Sequence, residues 1–289
     1  MLSGTFTAIV TPFDSYGAVD YNCLCELVEW QVVSGVEGIV PVGTTGESPT
    51  LEWEEHLKVI ERVVKCADGR VKVIAGTGAN STAEALYLTK SVQSMGVDAT
   101  LQVTPYYNKP NQEGLYRHFA TIADLGLPVV LYNVPGRCSR EIAIETIVRL
   151  AKHPGVAAVK EAGGSVDRVS AILNACDITV LSGDDSLAVP MISVGAAGLI
   201  SVASNILPGE VSAMVRAAIS GDFVAASAAH RRLYPLFHDL FIDTNPIPVK
   251  TALAMMGRIG EEFRLPLCGT SEAIREQLAK TLRALGVVE

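Results

Sequence analysis

Lys160 closes an almost wholly apolar run, Val156-Ala157-Ala158-Val159, and Glu161-Ala162-Gly163-Gly164 follows at once. The run predicts a short buried strand and the glycines a turn. A lysine at such a strand end leaves water for a partly apolar site, where desolvation disfavours an ammonium. A neutral amine attacks a carbonyl carbon and an ammonium does not, so Lys160 is a candidate Schiff-base nucleophile. The plain alternative is a lysine that snorkels to water or pairs with Glu161.

Other reactive groups fall at similar places. Tyr132 ends an apolar run, and a tyrosine hydroxyl shuttles a proton when other hydroxyls hold it; otherwise it is an aromatic plug. Arg137 has the fork geometry to grip a carboxylate, or is a solvated loop residue. Gly43-Thr44-Thr45-Gly46-Glu47 offers backbone N–H groups and two hydroxyls near a helix start, which suits a carboxylate and equally suits a tight turn. Gly76-Thr77-Gly78 lacks the endings of a P-loop or dinucleotide fingerprint and reads as a turn. The adjacent Asp184 and Asp185 read as helix caps rather than metal ligands.

These residues need a scaffold that brings run ends together. Apolar runs at 5–10, 38–42, 71–75, 99–103, 128–132, 156–160, 178–182 and 198–201 alternate with amphipathic helical stretches. Most are continuous rather than alternating, as parallel strands covered on both faces require. The second helix is expected to be capped by Thr50, with Trp53, Leu57, Ile60 and Val64 as its apolar stripe. Ser81 and Glu84 have capping-box spacing for the third. Eight such units in succession predict an α/β fold of the (β/α)8 TIM-barrel type over residues 1–221. A doubly wound sheet is the alternative, but its glycine-rich first turn is missing. After Ser220-Gly221-Asp222 the alternation stops, and 223–241, 246–256 and 271–285 read as helices of a C-terminal appendage spanning 222–289. In such a barrel the strand C-terminal ends build the active site, and Lys160 is the one lysine at a predicted strand end.

The bulk properties narrow the function. The chain has 289 residues, is 49% hydrophobic and carries a net charge of −8, which argues against a nucleic-acid surface. No apolar stretch is long enough to span a bilayer. The first residues lack the pattern of a signal peptide, so a cytoplasmic location is expected. The six cysteines show no metal-ligand spacing and are expected to be reduced; Cys23 and Cys25 diverge on one helix. The five histidines are dispersed, and no metal is expected.

The strand-end motifs taken together resemble the pyruvate-dependent class I aldolases, the family that also contains the N-acetylneuraminate lyases. The resemblance runs along nearly the whole chain. It is carried by Gly43-Thr44-Thr45-Gly46-Glu47-Ser48, Val103-Thr104-Pro105-Tyr106-Tyr107-Asn108, Tyr132-Asn133-Val134-Pro135-Gly136-Arg137 and Leu181-Ser182-Gly183-Asp184-Asp185. The double threonine and Arg137 make it most similar to the branch that condenses pyruvate with L-aspartate-4-semialdehyde. Sialic acid lyases typically have Ser-Thr in the first motif and lack the arginine.

The resemblance implies a covalent imine between Lys160 and pyruvate, with no added cofactor. It implies that Thr45, with backbone near Thr44, holds the pyruvate carboxylate, and that Gly183 and Ile200 line the pyruvate pocket. Tyr132 would donate and accept protons, linked through Thr44 to a Tyr107 from a neighbouring subunit. Arg137 would bind the semialdehyde carboxylate. A homotetramer built as a dimer of dimers is implied, as is an L-lysine site formed by Ser48, His56, Asn80, Glu84 and Tyr106. Trp53 and Pro49 depart from the lysine-sensitive pattern, so the expectation is lysine binding without strong inhibition. The competing readings are an aldolase for 2-keto-3-deoxy sugar acids and a silent keto-acid or lysine sensor. Arg137 and Tyr107 weigh against the first, and the presence of Lys160 and Tyr132 against the second.

Overall fold

The computed structural model describes residues 2–289. Among them, the strands are β1 (Gly4–Ala8), β2 (Gly38–Val40), β3 (Lys72–Gly76), β4 (Ala99–Val103), β5 (Val129–Asn133), β6 (Val156–Glu161), β7 (Thr179–Ser182) and β8 (Gly198–Ser201). They pair in chain order, all parallel, and β8 returns to β1 to close a barrel. The connections carry α1 (Tyr21–Val33), α2 (Trp53–Ala67), α3 (Thr82–Val92), α4 (Gln112–Ala123), a short α5 (Pro135–Cys138), α6 (Ile144–Ala151), α7 (Val166–Ala175), α8 (Ala188–Ser193) and α9 (Pro208–Ile219). Then come α10 (Phe223–Asp239), α11 (Ile247–Met255) and α12 (Glu272–Ala284), with no strand between them.

The alternation of side chains along each strand divides two cores. Phe6, Val40, Ile74, Leu101, Val130, Ala158 and Leu181 point inward and fill the barrel. Val129, Leu131, Val159, Val180 and Leu199 point outward and pack under the helices. The strands are therefore covered on both faces, which is why their sequences read as unbroken apolar runs.

Several local expectations need correction. β1 and β2 stop two residues early, and beyond β2 Val42 turns into the left-handed region at φ 49°. Thr50 does not cap α2. It ends a 3-10 turn, Ser48–Thr50, where its hydroxyl donates to the Glu47 carbonyl at 3.0 Å. Leu51 is extended, and α2 begins only after Glu52. The buried face of α2 is His56, Val59, Ile60 and Val63, while Trp53 lies half exposed against Tyr87. Ser81 is the N-cap of α3, but its side chain makes no capping bond.

The cysteine expectation is also overturned. Cys25 on α1 and Cys66 on α2 form a disulfide, with Cα atoms 5.7 Å apart. Cys23 does point elsewhere, its thiol donating to the Arg258 carbonyl. The bonded pair is 41 residues apart and meets only because α1 packs on α2, so no local spacing reveals it. Cys23, Cys138, Cys176 and Cys268 are free. Among the described residues, no helix is long and apolar enough to cross a membrane.

Candidate active site

β5 and β6 pair so that Tyr132 stands opposite Lys160 and Asn133 opposite Glu161. Inward alternation sends Tyr132 and Lys160 to the barrel mouth. The Lys160 Nζ lies 4.1 Å from the centroid of the Tyr132 ring. Lys160 is 7% exposed, and its amine makes no hydrogen bond or ion pair with a described residue. The plain alternative, pairing with Glu161, does not occur. Glu161 points to the other face, where it accepts from Asn133 Nδ2 at 2.8 Å, Gly163 N at 2.7 Å and Arg168 Nε at 3.0 Å. Burial pushes its carboxyl up, against the pull of Arg168 and Asn133. The outward neighbours of Tyr132 and Lys160 are thus bonded to each other, which fixes the register of the inward pair.

A cavity of about 80 Å³ opens beside Lys160, walled also by Tyr132, Thr44, Thr45, Arg137, Gly183, Asp184 and Asn245. That volume suits a molecule of a few heavy atoms. Gly183 is required there: a Cβ on it would lie 2.6 Å from Ala162 Cβ and 3.1 Å from Lys160 Cε. Asn245, just before α11, joins two opposite walls. Its Nδ2 donates to Thr45 Oγ1 at 3.1 Å, and its carbonyl accepts from Arg137 Nη2 at 3.1 Å. Its buried Oδ1 has no protein partner. In the sequence Asn245 carries no signal beyond its place just before the predicted 246–256 helix.

Ile200 is not among the residues on the wall of this cavity. It is fully buried in the barrel-interior cluster, and Val202 rather than Ile200 walls the cavity on that side. Asp185 holds no helix cap of its own. It accepts from Ser201 Oγ at 2.5 Å and from the N–H groups of Val202 and Ala203, bracing the β7 loop against the β8 loop. Among the described residues, no three His, Cys, Asp or Glu side chains gather as a metal site.

A second cavity, about 200 Å³, shares Thr44, Tyr132 and Arg137 with the first and reaches Ser48, Pro49 and Tyr106. Burial raises the Tyr106 hydroxyl, and the nearby Glu84 carboxylate adds to that. Asn80 is half buried, its carbonyl accepting from Asn108 Nδ2 at 2.8 Å. His56 does not join this cavity. It is buried, its Nε2 is bonded to the Gly76 carbonyl at 2.7 Å, and burial holds its basicity down. Tyr107 is 92% exposed, at φ 70°, and walls neither cavity within one chain.

One buried ion pair was not foreseen. Glu47, in the threonine loop, meets Lys250 of α11 at 2.5 Å, and both side chains are fully buried. Lys250 Nζ also lies 4.2 Å from the Phe13 ring centroid. The loop that presents Thr44 and Thr45 is thereby fastened to the C-terminal helices.

Comparison with known proteins agrees with this geometry. The family model described as the dihydrodipicolinate synthetase family matches residues 1–285. A 4-hydroxy-tetrahydrodipicolinate synthase of Thermodesulfovibrio yellowstonii is 51% identical, with 100% of each chain covered. The dihydrodipicolinate synthase of Acinetobacter baumannii, crystallised with pyruvate, superposes with a TM-score of 0.98 at 45% identity and full coverage of both chains. That of Cyanidioschyzon merolae, solved with lysine bound, gives 0.96 at 39% identity, with 99% of each chain covered. The chain belongs to the dihydrodipicolinate synthetase family.

Proposed function

We propose that the chain condenses pyruvate with L-aspartate-4-semialdehyde to 4-hydroxy-tetrahydrodipicolinate through an imine on Lys160, a step of lysine and diaminopimelate biosynthesis. The observation that carries this reading is Lys160 itself: a desolvated amine without a carboxylate partner, beside a tyrosine, facing a cavity of about 80 Å³.

The amine adds to the pyruvate ketone, and loss of water gives the imine. The protonated imine is the electron sink, so a methyl proton leaves and the enamine forms without any added cofactor. The enamine carbon attacks the aldehyde. The substrate amine then closes the ring by attacking the imine carbon, which expels Lys160. Tyr132, next to Lys160 and walling both cavities with Thr44, is placed to carry the protons. Thr45, held by Asn245, receives the pyruvate carboxylate, and Gly183 leaves room for it. Arg137 binds the semialdehyde carboxylate. A 2-keto-3-deoxy sugar acid offers no such carboxylate at that position, and the relatives' names favour the synthase.

The same reading includes a homotetramer of paired dimers. The outward Tyr107 supports it, as a side chain available to complete a neighbour's relay through Thr44. It includes an L-lysine site near Ser48, Asn80, Glu84 and Tyr106, supported by the lysine-bound relative and by the cavity that reaches Ser48 and Tyr106. His56 would support that site from beneath rather than touch the ligand. Pro49 on the wall and Trp53 nearby fit binding with weak inhibition. Because both substrates are soluble metabolites, the reading places the reaction in the cytoplasm.

Borohydride reduction in the presence of pyruvate tests the reading. One pyruvyl adduct per chain is expected on Lys160 by mass mapping, and none in Lys160→Ala. Arg137→Ala should keep the adduct while losing semialdehyde turnover. An adduct elsewhere, or none, would remove the mechanism.

A further inference from the structure

L-aspartate-4-semialdehyde carries an ammonium as well as a carboxylate, and Arg137 answers only the carboxylate. An ammonium brought beside the Arg137 guanidinium needs an acceptor of opposite sign. The carboxylates near the strand ends are almost all committed. Glu47 is paired with Lys250, Glu161 with Arg168, and Asp185 with Ser201 and two backbone N–H groups. Asp184 differs. Among the described residues it is the one acidic side chain on the wall of the Lys160 cavity. Apart from the pull of the nearby Gly164 backbone, its carboxylate has no hydrogen-bond or ion-pair partner among the described residues and keeps acceptor capacity.

We infer that Asp184 binds the ammonium of the second substrate and so selects an amino aldehyde over a plain one. The inference rests on the synthase reading and deepens it. Asp184 and Phe241 stand on the shared wall between the Lys160 cavity and a larger neighbouring one of about 390 Å³. Tyr234 and Phe237 continue that second wall. Phe241, on the wall of both cavities, is the aromatic side chain near such an ammonium, and aromatic rings attract cations. The local field agrees. Burial and the adjacent Asp185 push the Asp184 carboxyl up, while Lys160 pulls it down, so a further cation favours the ionised form. Arg137 and Asp184 would then grip the two ends of one zwitterion, leaving the aldehyde carbon to the enamine on Lys160.

The test is Asp184→Asn, which keeps shape and removes charge, compared with Asp184→Glu. Three measurements are made on the full chain: borohydride trapping of pyruvate, KM for L-aspartate-4-semialdehyde, and single-turnover addition of succinate semialdehyde to the pyruvyl enzyme, read as the mass of the retained adduct because this aldehyde lacks the amine that would expel Lys160. The expected result for Asp184→Asn is an unchanged pyruvyl adduct and a KM raised about ten- to a hundredfold, the scale of a lost charge-assisted hydrogen bond. Adduct formation with the deaminated aldehyde should change far less than the KM for the amino aldehyde, and Asp184→Glu should recover part of that KM. An unchanged KM overturns the inference. So does an equal loss with both aldehydes, which would assign Asp184 to Lys160 rather than to the ammonium. No adduct in the wild type would instead sink the synthase reading itself.

Discussion

Lys160 and Lys250 are both withdrawn from water, yet their surroundings are opposite. At the junction of the threonine loop with α11, Lys250 is fully buried and meets the fully buried Glu47 at 2.5 Å. Burial lowers its basicity and Glu47 works against that. At the β5–β6 mouth, Lys160 is almost as buried but has the Tyr132 ring and a cavity in place of a carboxylate. Burial alone therefore does not make a nucleophile. Lys250 is tied to its carboxylate partner, while the Lys160 amine has no hydrogen bond or ion pair with a described residue and faces a cavity, where a substrate carbonyl can reach it. The two regions also differ in what holds them. The junction rests on one buried ion pair between distant segments. The mouth rests on neighbours of the reactive residues, Asn133 and Glu161, which bond behind them.

The same substitution at both lysines gives the strongest contrast. Lys250→Met leaves Glu47 charged and alone in the core, and should cost about 3–5 kcal/mol, read from the urea unfolding midpoint. The double variant Glu47→Gln/Lys250→Met should recover most of that, because the desolvation cost disappears with both charges. Lys160→Met breaks no pair. Its midpoint should stay level or rise, while turnover and pyruvate trapping vanish. Equal destabilisation at the two positions would erase the distinction between a structural and a reactive buried lysine.

Glu161→Gln probes the mouth from behind. The variant keeps the shape but loses the charge that Arg168 and Asn133 bind, and a stability loss of about 1.5–3 kcal/mol is expected for hydrogen bonds to a charged group. The informative reading is kinetic. If the Asn133–Glu161 bond sets the Tyr132–Lys160 register, kcat falls more than the KM for pyruvate rises, and Glu161→Asp recovers less than its charge alone would return. Loss of stability with wild-type kcat would make the outer bond a fold element without influence on the inner pair.

The contrast between the regions also explains what could be read in advance. Strand runs, helix alternation and the position of Lys160 at a run end are local patterns, and local patterns survive in a linear sequence. The barrel followed from counting them, and Lys160, Tyr132, Thr45, Arg137 and Gly183 do share one cavity wall. The Glu47–Lys250 pair is separated by 203 residues, Asn245 by 200 from Thr45, and Cys25 by 41 from Cys66. Nothing near either partner announces the other. Ile200 shows a different limit: an inward strand residue sits either in the packed interior or at the mouth, and its sequence position alone does not decide which. Tyr107 is a third kind of case, since its side chain is exposed and walls neither cavity, so the catalytic role we propose for it needs a second copy of the chain.

The smallest effect is the sharpest check on the junction. Thr50 looked like a helix cap but bonds the Glu47 carbonyl at the end of a 3-10 turn. If that turn held the threonine loop, its loss would resemble the loss of the ion pair. The geometry argues otherwise. The Glu47 side chain is anchored by Lys250 at 2.5 Å and accepts from the Arg264 backbone N–H at 3.4 Å. Arg264 is itself tied to Glu55 at 2.6 Å. These contacts fix the loop from the C-terminal side, whatever the turn contributes. Thr50→Val should therefore cost no more than about 1 kcal/mol, the net worth of one partly exposed neutral hydrogen bond, with KM for pyruvate unchanged. A cost approaching that of Lys250→Met would move the anchor of the threonine loop from the ion pair to the turn.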